Sequence, residues 1–179
     1  STTNEALLIH YLINKEEDKN KKLYLINQEL EQIRTTVFRQ LMFAEFELYT
    51  HESLEKGTPL TAEDYNKAWH DLNVKYFGPD MIVDDEIDIE WARIPHFYSD
   101  FYVYQYATGY AAASAFAKAI LEGEKDAVPK YINFLKSGGS DYPIEILKNA
   151  GVDMTTSKPL EATIERFNEL LDMLDKEIN

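Results

Sequence analysis

Lys22-Leu-Tyr-Leu-Ile-Asn-Gln-Glu-Leu-Glu-Gln-Ile-Arg-Thr-Thr-Val-Phe-Arg-Gln-Leu-Met-Phe-Ala-Glu-Phe46 decides the fold class. Leu23, Ile26, Leu30, Ile33, Val37 and Leu41 recur every three or four residues, the spacing that lines one face of an α-helix. From Val37 to Phe46 the stretch is apolar around most of its circumference, so that part is expected between other helices. The periodicity predicts one helix from about Lys22 to Leu54, the longest of the chain, ended by Gly57-Thr-Pro59.

The same rhythm continues on both sides. Upstream, Ser1-Thr-Thr-Asn offers capping residues for a helix that includes Glu5-Ala-Leu-Leu-Ile-His-Tyr-Leu-Ile13. That helix is entered with almost no lead-in, which suggests sequence upstream of Ser1. Downstream, Thr61-Ala-Glu-Asp64 has the pattern of a capped start with acids in the first turn, and Gly78-Pro79 stops this helix after Phe77. Residues 80–95 are expected to form an irregular acidic connection. A helix that carries the tyrosine-rich stretch should end near Gly123, and its small residues Gly109 and Ala111 to Ala113 suit close approach of a neighbouring backbone. Further helices are expected at about Asp126 to Lys136, Pro143 to Asn149 and Pro159 to Ile178. No hairpin signal interrupts this series. The expectation is an all-α, irregular multi-helix bundle of six or seven helices, residues 1–179 forming a single all-helical fragment.

Composition narrows the function. With 32 acidic against 18 basic residues the net charge is −14, the wrong sign for a phosphate-backbone binder or an anionic membrane surface. Neither a nucleic-acid nor a membrane partner is expected. The chain has no cysteine, which removes disulfides and thiolate metal sites and suits a reducing cytoplasm, the expected location.

The chemistry concentrates in His96-Phe-Tyr-Ser-Asp-Phe-Tyr-Val-Tyr-Gln-Tyr-Ala-Thr-Gly-Tyr110. Tyr98, Tyr102, Tyr106 and Tyr110 stand four residues apart, which on a helix places them along one face. Each buried phenol needs a hydrogen-bond partner, so a purely structural core would favour aliphatic residues there. Hydroxyls aligned beside an imidazole suit a polar ligand or a developing oxyanion. An aromatic packing helix with its hydroxyls at the rim reads the same pattern equally well. Elsewhere the usual motifs are incomplete. His51-Glu52-Ser53-Leu54-Glu55 begins like a zinc-binding His-Glu-x-x-His, but Glu55 stands where the second His belongs, so His51 reads as a helix-end residue. His70 reads as a helix-face residue. Asp84-Asp85-Glu86 lacks the order of a calcium loop, and no nucleophile elbow or glycine-rich phosphate loop occurs.

Three blocks carry a family resemblance: Thr3-Asn4-Glu5-Ala6-Leu7-Leu8, then Thr36-Val-Phe-Arg-Gln-Leu-Met-Phe-Ala-Glu-Phe-Glu47, then His96 to Gly109. In this order they resemble the oligoendopeptidase F group of the M3 zinc metallopeptidases, over nearly the whole chain. The resemblance implies the C-terminal helical portion of an M3-type (zincin) catalytic domain, in an enzyme that hydrolyses short peptides. It also implies a catalytic zinc held by His-Glu-x-x-His and a later Glu. Those ligands would lie upstream of Ser1 in the missing N-terminal part of the same polypeptide. Glu5 is not one of them, and no metal ligand, bound zinc or activity is expected of this fragment alone. By the same resemblance His96, Tyr102 and Tyr106 are the candidate catalytic residues of the substrate- and oxyanion-binding wall. Tyr98 and Tyr104 are candidate substrate contacts, and Arg39 and Gln40 receive no catalytic role. A non-catalytic helical module that presents the tyrosine stripe to a peptide or protein is the alternative.

Overall fold

The computed structural model describes residues 1–178. Its α-helices are α1 (Thr2–Lys15), α2 (Lys19–Ile33), α3 (Arg39–Glu55), α4 (Ala62–Phe77), α5 (Tyr104–Leu121), α6 (Ala127–Ser137), α7 (Pro143–Asn149) and α8 (Lys158–Ile178). No strand occurs among the described residues, so the all-α expectation holds with eight α-helices rather than six or seven. No helix among them is long and apolar enough to cross a membrane. The chain divides into two compact units, one made of Ser1–Ile33 with Thr108–Asn179, the other of Arg34–Ala107.

The second unit carries the candidate site, and its helices begin and end where their residues demand. Thr61 Oγ1 accepts from the Asp64 amide at 3.3 Å, and the Asp64 carboxylate accepts from the Thr61 amide at 2.8 Å. That reciprocal cap starts α4, and Gly78, at φ 79°, closes it. The core of this unit is Met42, Phe43 and Phe46 from α3, Trp69 from α4, and Ile94 and Val103 from the following segment. Trp69 is fully buried, with the Phe46 ring set edge-on to it at 4.9 Å. Aromatic pairs in this offset or edge geometry add about 0.5–1.5 kcal/mol each to the burial of their area.

Three expectations are corrected here. The helix expected across Lys22 to Leu54 is two helices joined by a π turn, Arg34–Phe38. Three β-branched residues, Thr35, Thr36 and Val37, crowd this turn, and the Gln40 side chain donates to the Thr35 carbonyl at 3.2 Å. The connection across 80–95 contains a 3₁₀ helix, Asp85–Arg93, packed along α4. Its Glu90 is buried and accepts from Arg39 at 2.6 Å and from Arg93. Finally, the tyrosine stretch is not one helix. A 3₁₀ turn, Pro95–Tyr98, and an irregular segment precede α5.

In the first unit Ala112, Phe116, Tyr131, Ala150 and Val152 form the core. Glu29 is buried and held by Arg166 through two parallel bonds of 2.8 and 2.7 Å. Ala111, Ala112 and Ala113 are buried as their size suggests, but a Cβ at Gly109 would meet nothing within 4 Å. No close approach requires that glycine.

Candidate functional site

Two anchors set the site in the second unit. Ile94 and Phe97 reach into the aromatic core, Phe97 lying 5.4 Å from Phe46 and 5.8 Å from Phe43. Val103, fully buried, does the same on the far side of the loop. The residues beside these anchors face outward: His96 precedes Phe97, and Tyr102 precedes Val103. The segment between them turns sharply, with Asp100 and Phe101 at φ 43° and 57°. A non-glycine residue in this left-handed region costs about 1–2 kcal/mol, so something must hold it there.

The result is a cluster of three rings. His96 and Tyr102 are nearly parallel, 9° apart with centroids at 5.8 Å. Tyr106, one turn into α5, stands edge-on to both, at 6.1 Å from His96 and 5.5 Å from Tyr102. Its hydroxyl lies 3.5 Å from His96 Nε2. All three rings stay accessible, Tyr102 at 41% and Tyr106 at 37% exposure, so their polar atoms can reach a ligand. The Tyr106 phenol is held above its ordinary pKa, foremost by a hydrogen bond with Tyr102.

The other two tyrosines fall outside the cluster. Tyr98 is 88% exposed, on the 3₁₀ turn. Tyr104 opens α5 two residues before Tyr106, on a different face of the helix. Tyr110 is buried in the first unit, where burial and the nearby Glu29 charge push its phenol far up. Of the tyrosines spaced by four, Tyr102 and Tyr106 meet in the cluster and Tyr98 lies outside it.

Sequence reasoning passes over two residues on α3. Glu47 is 2% exposed, and its Oε1 accepts from the Phe101 amide at 2.8 Å. His51, one turn later and near the end of α3, lays its ring 4.5 Å from the Phe101 ring. Nothing in Ala44-Glu45-Phe46-Glu47-Leu48 separates the buried Glu47 from the more exposed Glu45, so no sequence signal points to it.

The chain's likeness to known proteins fits this geometry. The family model for peptidase family M3 matches residues 1–166. The chain belongs to this family. Over 176 residues it is 55% identical to oligopeptidase PepF of Bacillus subtilis (strain 168), covering 98% of this chain and 26% of that protein. It is 46% identical to an oligoendopeptidase F homolog of Borreliella burgdorferi, covering 98% of this chain and 30% of the relative. The crystal structure of oligoendopeptidase-F from Enterococcus faecium superposes with a TM-score of 0.96 at 48% identity, over 99% of this chain and 34% of that one. The chain therefore spans about a quarter to a third of the proteins it matches.

The M3 family suggests a metal-dependent peptidase. A catalytic zinc centre takes three protein ligands. The ring neighbours of His96 are phenols, with no second imidazole or carboxylate recorded in contact with it. Among the described residues one group has metal-ligating donors close together: His70, Asp85 and Asp88, whose ligand atoms lie within 4.8 Å of one another. There His70 Nδ1 and Asp88 Oδ1 already form a 2.7 Å bond between α4 and the 3₁₀ helix, and Asp85 is exposed. His70 is on a partly exposed face of α4, as expected of it, and this bond adds a partner there.

Proposed function

We propose that this chain forms the substrate- and oxyanion-binding wall of an M3-type oligoendopeptidase that cleaves short peptides. On this reading the zinc ligands belong to the remainder of a longer polypeptide, and none is assigned here. When water attacks a peptide carbonyl, the carbonyl oxygen gains negative charge. Donors already aimed at that oxygen stabilise the transition state more than the ground state. The His96, Tyr102 and Tyr106 cluster supports this role, because it sets an imidazole and two phenols side by side with their polar atoms accessible. Tyr106, a phenol protonated at neutral pH and 3.5 Å from His96 Nε2, is one candidate donor, and His96 is another. Tyr98 and Tyr104 would contact the substrate on either side. The acidic charge and the absence of cysteine favour a cytoplasmic enzyme with peptides as partners.

The test uses the intact peptidase. Tyr106→Phe, Tyr102→Phe and His96→Ala are measured for kcat, KM and zinc content. Losing one oxyanion donor is expected to lower kcat by about a hundred- to a thousand-fold, with little change in KM and with zinc retained. Wild-type kcat in all three variants, with zinc bound, would make the cluster a packing feature and overturn the proposal.

A further inference from the structure

We infer that Glu47 is a positioning residue for the His96, Tyr102 and Tyr106 cluster, acting through the strained turn at Asp100 and Phe101. The inference rests on the proposed role of that cluster. Three observations carry it. Asp100 and Phe101 are two consecutive non-glycine residues in left-handed backbone, which persists only where the surroundings enforce it. Glu47 is buried to 2% exposure, yet its one recorded hydrogen bond goes to the amide of Phe101. Its second oxygen, Oε2, is buried without a partner. Burying a carboxylate this poorly satisfied is unfavourable for stability, so its gain must come from what the Phe101 bond holds in place.

The geometry shows what that is. Phe101 is followed directly by Tyr102, whose ring lies parallel to His96, and then by the buried Val103. Phe97 fixes the His96 end of the loop in the aromatic core. Glu47 and His51, four residues apart on one face of α3, grip the other end by the amide and the ring of Phe101. Without the Glu47 acceptor the turn can relax to right-handed backbone, and Tyr102 would swing off the His96 ring. Glu47 itself makes no recorded contact with the three rings, so its effect must pass through the turn.

The experiment compares Glu47→Leu, Glu47→Asp and Glu47→Gln in the intact peptidase, each also on a Tyr102→Phe background. Leu removes the acceptor, Asp shortens its reach by one methylene, and Gln keeps a carbonyl oxygen in place. Glu47→Leu and Glu47→Asp should lower kcat about ten- to a hundred-fold with KM nearly unchanged, as a displaced catalytic group does. Glu47→Gln should rescue most of the loss. On the Tyr102→Phe background Glu47→Leu should cost less than about twofold, because coupled residues are not additive. Hydrogen exchange at the Phe101 amide gives a readout independent of activity, and Glu47→Leu should make it roughly tenfold faster. If Glu47→Leu does not fold, Glu47→Asp against Glu47→Gln makes the same comparison. Unchanged exchange at Phe101, or an equal loss of kcat on both backgrounds, overturns the inference. Faster exchange together with a catalytically silent His96→Ala overturns the proposed function of the cluster and leaves Glu47 as the anchor of the turn.

Discussion

Glu29 and Arg166 show how much rests on single polar residues in this chain. Glu29 is 3% exposed, and both its oxygens accept from the Arg166 guanidinium, which also reaches Glu169 at 3.2 Å. Removing Arg166 leaves a buried carboxylate with nothing to offset its desolvation. Arg166→Ala should therefore destabilise the fold by about 3–5 kcal/mol, measured by denaturant unfolding, while Glu169→Ala should cost little. His10 lines a cavity of about 240 Å³ in the same unit, together with Glu29, Tyr110 and Arg166. Burial, and then the Arg166 charge, hold its imidazole below the ordinary value of 6.5. The sign of the pH dependence follows. Above about 6.5 the imidazole is neutral whether the chain is folded or not, and the stability is fully present. Just below that pH the unfolded chain takes up the proton first, so stability falls as the pH drops. His10→Gln should flatten this slope, read as the difference in unfolding midpoint between pH 7.5 and pH 5.5. A slope unchanged by the substitution would show that His10 is not its source.

Elements were legible wherever local chemistry sets their ends. The Thr61 and Asp64 cap starts α4 where the residues indicate, and Pro143 opens α7 at the expected place. Thr61→Ala should lower the thermal midpoint by about 2–4 °C, since it leaves the Asp64 amide unpaired. Glu63→Ala, which removes an acid from the same turn without touching the cap, should change it less. Where tertiary packing decides, the sequence is mute. The hydrophobic spacing runs straight through the π turn at Arg34–Phe38, so periodicity reads one helix, and only the β-branched run Thr35 to Val37 marks the break. The four-residue tyrosine period suggested one helix, yet Asp100 and Phe101 break it with backbone that their residue types do not announce. The pairing of Tyr102 with Tyr106 survived, since the loop returns Tyr102 to the start of α5. Glu47 stayed hidden because its partner is a backbone amide 54 residues away.

For the whole molecule the decisive fact is that its chemistry is one-sided. On the proposed reading the chain supplies hydrogen-bond donors for a reacting carbonyl, while the family to which it belongs suggests a metal. A hydrolytic zinc needs three protein ligands and an open position for water. Among the described residues the one group of suitable donors is His70, Asp85 and Asp88, with a single imidazole already bonded to Asp88. The 179-residue chain by itself is therefore expected to hold no stoichiometric zinc after dialysis and to leave a quenched fluorescent peptide uncut. Any weak zinc uptake should disappear in His70→Ala, which would assign it to the surface group and not to a catalytic centre. On the proposed reading, mixing the chain with a segment that carries the zinc ligands should bring both zinc and turnover, and Tyr106→Phe introduced into the chain should lower that turnover without lowering the zinc. Tightly held stoichiometric zinc with peptide cleavage by the chain alone would mean that a catalytic centre is built from residues assigned other roles here, His96 first among them.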